Sequence, residues 1–239
     1  MLNKKDMQIK HYRLETVDST NNWAKAHLGS FHKKELTFIT AYFQTEGRGR
    51  FNRTWISPPG ENLLATFVLW LGQFDFNLSQ VLALAVADML QQRGFEIQVK
   101  WPNDLMLHGK KLSGILTETV EEDLGRWCLL GIGLNVNMRP ENLQRISQSA
   151  TSLFAESGET FDPEHLGHLL AAYFERSVAH YHGFGPFYAR FKERLIHKVG
   201  DPLKIGTDEG QFKELNPDGS LTLILKTGEE KVFISGEIA

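Results

Sequence analysis

The order of apolar and polar positions divides the chain into strands and helices of two distinct kinds. "HYRLETVDSTNNWAKAHL" opens as an alternating segment and then passes through Asp, Ser, Thr and Asn into a helical stretch, with several candidate N-caps at the junction. "ELTFITAYFQ" is β-branched and aromatic and predicts a strand ending at Gln44, and "LLATFVLWL" is a near-continuous apolar strand after the "SPPGEN" punctuation. From Leu78 to Gln92, Val81, Leu82, Ala85 and Met89 recur at helical spacing, which predicts a buried amphipathic helix.

"FEIQVKW" alternates as a strand and stops at Trp101-Pro102, because proline cannot continue a central strand. Two hairpins follow, turning at His108-Gly109 and at about Asp123 to Gly125, and their strands form an antiparallel part of one sheet. Asp162-Pro163 supplies an N-cap and a first-turn proline for a helix to about His180, and a further aromatic helix covers Pro186 to Leu195. From Gly200 the pattern changes to the short strands "PLKI", "GQFKEL", "SLTLIL" and "KVFISG", parted by "TDEG", "NPDG" and "TGEE". That predicts a small β-barrel after a larger α+β unit, with a boundary near residue 195.

Composition narrows the class only a little. Of 239 residues, 26 are basic and 29 acidic, so the net charge of −3 gives no global field towards nucleic acid or an anionic membrane. Any basic feature is therefore local. No apolar run is long enough for a membrane span, and the first residues lack the apolar core of a secretory signal. The single cysteine, Cys128, lies in "WCLLGIGL", reads as a core residue, and fits a reducing cytoplasm. His165 and His168 lack companion ligands and read as surface or packing residues.

Three stretches carry chemistry. In "QTEGRGRFNRTW", Gly47 and Gly49 flank Arg48, with Arg50 and Arg53 close behind, and guanidinium groups fork onto phosphate or carboxylate oxygens. A solvated loop explains the composition equally well, and neither the Walker pattern nor G-x-G-x-x-G is present. In "KWPNDLMLHGKKLSGILTE", Lys111 lies across a hairpin from Asp104, with Gly114 removing a side chain three residues on. Lys110 reads as solvated. In "GIGLNVN", a two-residue period sends Ile132, Leu134 and Val136 to one face and Gly131, Gly133, Asn135 and Asn137 to the other. The second face is bare and amide-bearing, as a flat ligand against a sheet would require, although a packed helix also favours glycines.

Together with "DSTNNWA" and the terminal "SGEI", these stretches resemble the biotin protein ligases over most of the chain and in the family's order. The resemblance implies a class II synthetase-like α+β catalytic domain (1–195) with a mixed, largely antiparallel sheet flanked by helices. A small SH3-like β-barrel (196–239) would follow it.

It also implies a reaction in which biotin and ATP, with Mg²⁺, give biotinyl-5′-AMP, and the biotinyl group then passes to a lysine of a biotin carboxyl carrier domain. Carried over position by position, Ser19, Thr20, Asn21, Gln44, Gly47, Arg48, Arg50, Lys111 and Gly114 line the biotin pocket. Arg50, Arg53, Trp55, Lys111 and Asn135 bind the adenylate. Lys111, Arg50 and Asp104 take the catalytic places, with Asp104 near Mg²⁺.

Phe51 departs from relatives in which arginines continue at that position. No DNA-binding winged-helix segment precedes the catalytic part, so neither a repressor role nor a DNA partner is expected, and the near-neutral charge without a long apolar run leaves no membrane partner expected either. A cytoplasmic enzyme, with a homodimer as one possible assembly, is consistent with this reading. The rival readings are a lipoate or octanoate ligase of related fold and a non-catalytic biotin sensor.

Overall fold

The computed structural model describes residues 7–72, 76–179 and 181–238. Among these, eleven strands form two sheets. The larger sheet has seven strands: β1 (Ile9–Val17), β2 (Leu36–Gln44), β3 (Asn62–Leu71), β4 (Gln98–Lys100), β5 (Asp104–Leu107), β6 (Lys110–Glu122) and β7 (Gly125–Asn135). Their spatial order is β1-β2-β3-β7-β6-β5-β4, and only the β1/β2 pair is parallel. A parallel pair needs a crossover, and α1 (Thr20–Ala26) lies within it. Both predicted hairpins form. His108 and Gly109 take φ +49° and +75°, the left-handed pair that a two-residue turn between twisted strands requires.

One face of this sheet is closed by α2 (Leu78–Gln91), α5 (Pro163–Ala179) and α6 (Gly185–Arg194). Helix α2 is buried nearly all round, with Val81, Leu82, Ala85 and Met89 at 1% exposure or less. Helix α5 buries Leu166, Leu170, Phe174 and Val178, a single stripe, and Asp162 caps it by accepting the Glu164 N–H at 2.9 Å. Two short helices, α3 (Pro140–Leu143) and α4 (Leu153–Ser157), lie between β7 and α5. Cys128 is fully buried in the main core. The opposite face carries α1, a small apolar cluster around Ile39, Val68, Trp127 and Leu129, and the segment 48–56 that borders a cavity on it.

Two predicted boundaries shift. The strand expected over "FEIQVKW" is confined to Gln98–Lys100, because β5 offers partners only to those three residues and Phe95 instead packs edge-on against Phe161. "TDEG" is not a separating turn. The chain reverses at Gly206-Thr207, where Gly206 takes φ +60°, and Asp208–Gly210 already belong to a strand.

The four C-terminal strands, β8 (Pro202–Ile205), β9 (Asp208–Leu215), β10 (Leu221–Leu225) and β11 (Glu230–Phe233), form an antiparallel sheet in the order β11-β10-β9-β8. Its "NPDG" turn is set into the larger body. Gly219 O accepts from Gln80 Nε2 at 2.9 Å and from the buried indole Nε1 of Trp101 at 3.1 Å, while Asp218 O accepts from Asn77 Nδ2 at 2.8 Å.

Gly219 has φ +81°, and a Cβ there would overlap the amides of Asn77 and Gln80. Gly219→Ala is accordingly expected to destabilise the protein by about 2–4 kcal/mol, since it combines left-handed strain with the displacement of buried amides. The melting temperature should fall by about 5 °C or more. An unchanged melt would show that the turn does not hold the two sheets together.

Candidate active site

A cavity of about 540 Å³ opens on the α1 face of the large sheet. Directly paired residues share a face, so the register sets Leu116, Gly131 and Thr66 in one row and Asp104, Gly114, Gly133 and Leu64 in the next, and of these Leu116, Gly131, Asp104, Gly114 and Gly133 line the cavity. Of the residues predicted from sequence, Ser19, Thr20, Asn21, Gln44, Arg48, Arg50, Arg53, Trp55, Asp104, Lys111 and Gly114 all line it.

Its two ends differ in chemistry. At one, α1 begins. Thr20 donates its backbone N–H and its hydroxyl to Gln44 Oε1 at 2.7 and 2.9 Å, and Ser19, Thr20 and Asn21 are all buried. Ser19 occupies the N-cap position yet makes no capping bond with its side chain. The side chains of Ser19, Thr20, Asn21 and Gln44 that line the cavity here are polar and uncharged.

The other end is ionic. Lys111 Nζ lies 2.8 Å from Asp104 Oδ2, and both side chains are mostly buried. Gly114 makes room for this pair, since a Cβ there would sit 3.2 Å from Lys111 Cε and 3.4 Å from Asp104 Oδ1. The arginine stretch arches over the same end. Its base is closed by the Trp55 N–H on Gly47 O and the Gly49 N–H on Arg53 O, both at 2.8 Å.

At the tip, Arg50 donates to Asn103 Oδ1 at 3.2 Å and to Gly236 O at 2.8 Å, and Arg53 pairs with Glu237. Burial pushes the Arg50 guanidinium below its ordinary pKa, and the charges of Asp104 and Glu237 push back. Phe51 stands 66% exposed at φ +54°, its ring 5.2 Å from the Arg50 guanidinium carbon. The arch is thus pinned at its tip, and its apolar residue faces outward.

Three expectations need correction. The glycine face of β7 is not bare. A Cβ on Gly133 would overlap the Trp55 indole, and one on Gly131 would lie 2.5 Å from Asn21 Oδ1, so these glycines admit protein side chains that themselves shape the cavity. The asparagines are not ligand-facing as a pair. Asn137 donates to Phe161 O and accepts from Phe161 N–H, while Asn135 is 1% exposed, lies off the cavity wall and donates to Thr151 O at 2.9 Å.

Gly47, too, lies off the wall. A Cβ there would come within 2.8 Å of Trp55 O, so it is needed to close the arch rather than to admit a ligand. Among the described residues no group of three or more His, Cys, Asp or Glu side chains is placed to hold a metal, and no helix is long and apolar enough to cross a membrane.

Residues 145–148 ("RISQ") and the terminal Glu237-Ile238 complete the wall. Nothing in the sequence pattern singles out the first. They reach the site because the Lys111 N–H donates to Ser149 O and the Thr151 N–H to Lys111 O, a pairing between segments 40 residues apart that no local pattern reveals.

Comparison with known proteins follows the same geometry. The family model described as biotin/lipoate A/B protein ligase matches residues 14–135, the stretch that supplies most of the cavity. The biotin--[acetyl-CoA-carboxylase] ligase of Paracoccus denitrificans is 33% identical, over 93% of this chain and 100% of that one. The bifunctional ligase/repressor BirA of Bacillus subtilis is 31% identical, over 95% of this chain and 72% of that one. The biotin protein ligase of Aquifex aeolicus, solved in complex with biotin and ATP, aligns over 96% of this chain and 97% of its own, at 28% identity and a TM-score of 0.78. With its large sheet, its two-ended cavity and these alignments over nearly its whole length, the chain belongs to the biotin/lipoate A/B protein ligase family.

Proposed function

We infer that the chain is a biotin protein ligase. It activates biotin with ATP to biotinyl-5′-AMP and passes the biotinyl group to a lysine of a biotin carboxyl carrier domain. The observation that carries this reading is the pairing of a neutral polar end, Thr20 and Gln44, with an ionic end, Lys111, Asp104 and Arg50, in one cavity. A ureido group, neutral but rich in donors and acceptors, matches the first. A carboxylate meeting a triphosphate needs the second.

In the first step a biotin carboxylate oxygen attacks the α-phosphorus of ATP, a P–O bond forms, and the bond to pyrophosphate breaks. Lys111 and Arg50 face the negative charge that gathers there, preorganised by Asp104 on one side and by Asn103 and Gly236 O on the other. In the second step the ε-amine of the carrier lysine attacks the acyl carbon, an amide forms, AMP leaves and the amine loses a proton. The mixed anhydride is prone to hydrolysis, and the arch of residues 47–55 covers it between the steps. Trp55 lines the nucleotide side, with Arg53 above it.

Magnesium carried by ATP would neutralise the departing pyrophosphate. Asp104 fits it as a single carboxylate beside substrate phosphates, with Oδ1 left over from the Lys111 pair. Residues 196–239 form a small SH3-like barrel following a catalytic domain of residues 1–195. The bridge between Ile205 and Ile238, which returns the chain end to β8, supports that closure. The setting is cytoplasmic, the protein partner is the carrier domain of a carboxylase, and neither DNA nor membrane takes part.

The test is exchange of labelled pyrophosphate into ATP with biotin or lipoate as the acid. Biotin should support exchange and raise the melting temperature, and lipoate should do neither at equal concentration. Exchange with lipoate alone would move the chain to the lipoate branch, and exchange with neither acid would leave only a sensor.

A further inference from the structure

Glu118 lies on β6 outside the cavity wall, yet a continuous chain of hydrogen bonds links it to the neutral end. Gln44 Oε1 accepts the Thr20 backbone N–H, a donor that cannot reverse, so the Gln44 amide must turn its oxygen to α1 and keep its two Nε2 protons for the cavity. Thr20 is held in turn from below. Thr66 Oγ1 sits 2.8 Å from Thr20 Oγ1 and 2.6 Å from Asn21 Oδ1. Asn21 Nδ2 donates to Glu118 Oε2 at 2.8 Å, and the other Glu118 oxygen accepts from Lys25 Nζ at 2.6 Å.

A carboxylate only accepts. Glu118 therefore fixes the Asn21 amide with nitrogen down and oxygen up, and so draws the single Thr66 proton upon that oxygen. The one proton of the Thr20 hydroxyl is then shared between Gln44 Oε1 at 2.9 Å and Thr66 Oγ1 at 2.8 Å. Without Glu118, the Asn21 amide is free to reverse. Thr66 would then face a donor, and the donor and acceptor pattern of Thr20 above it would change. The network stands against the sheet because Gly131 leaves space for Asn21.

We propose that Glu118 is a positioning residue for the neutral end of the cavity, acting through Asn21 and Thr66 to set which hydrogen-bonding groups Thr20 and Gln44 present to the head of the ligand. This rests on the reading that biotin is that ligand. The competing explanation is that the Lys25–Glu118 ion pair merely fastens α1 to the sheet. Both side chains of that pair are about one-third exposed, where an ion pair contributes little.

Glu118→Ala, Glu118→Gln and Lys25→Ala should be compared in the biotin-dependent exchange assay, each checked by thermal melting. Glu118→Ala is expected to raise KM for biotin by about tenfold or more, with KM for ATP and kcat within about twofold. Glu118→Gln, which can still accept from Asn21, should recover most of the loss. Lys25→Ala should remain within about twofold of the parent.

Gly131→Ala, which crowds Asn21 from the other side, should reproduce the biotin-selective effect. An unchanged biotin KM in Glu118→Ala overturns the proposal, as does an equal rise for biotin and ATP in both Glu118→Ala and Lys25→Ala. Absence of exchange in the parent would instead overturn the functional reading beneath it.

Discussion

Replacing Lys111 with alanine is expected to reduce biotin-dependent ATP–pyrophosphate exchange by about a thousandfold or more. Lys111 projects from a sheet strand into the ionic end, its side chain 15% exposed and its Nζ ion-paired to Asp104. Losing it removes positive charge where a carboxylate must approach a triphosphate, and it leaves the Asp104 carboxylate without its ion-pair partner at the same place. The two effects act in the same direction. Lys111→Arg should not restore the rate, because the space beside Gly114 is matched to a slender ammonium stem and a planar fork would not lie in it. Retained exchange in Lys111→Ala would remove this residue from the chemistry.

Arg50→Gly is expected to change the fate of the intermediate more than the rate of its formation. Arg50 links the tip of the arch to two separate bodies, the Asn103 corner and the C-terminal backbone at Gly236. Glycine would cut both links, add backbone freedom beside Gly49, and leave Arg53 with Glu237 as the charged attachment of the tip. Biotinyl-AMP should then appear in solution within a turnover, and lysines on a bystander protein should become biotinylated. The readouts are chromatography of the free adenylate and avidin blotting. If the variant holds the adenylate as long as the parent does, the arch is not a clamp.

The parts of the site that lie close together along the chain are legible in the sequence itself. The Asp104–Lys111 pair follows from a hairpin at His108-Gly109, and Thr20 beside Gln44 follows from a strand, a helix and the family motifs. Period-two alternation correctly separates the two faces of β7 but cannot name their occupants, so Gly131 and Gly133 read as bare although Asn21 and Trp55 fill the space above them. The same limit explains Asn135 and Asn137, whose partners Thr151 and Phe161 lie 16 and 24 residues away in irregular chain. Glu118 is hidden for a related reason: its partner Asn21 is 97 residues distant, and nothing in "GILTETVEE" marks one carboxylate among several. Contacts of this range depend on topology, and topology is set by the whole chain.

The anchoring of Arg50 on Gly236 O, with Glu237 and Ile238 in the cavity wall, also sets an order of assembly. Residues 19 to 148 bring both ends of the cavity together, but the segment 236–238 joins the wall from the smaller sheet, where Ile238 bridges to Ile205. Until that segment docks, the site is an open trough in which an acyl-adenylate would meet water. The capacity to retain the reactive intermediate therefore depends on the smaller sheet being seated, and not on the catalytic side chains alone.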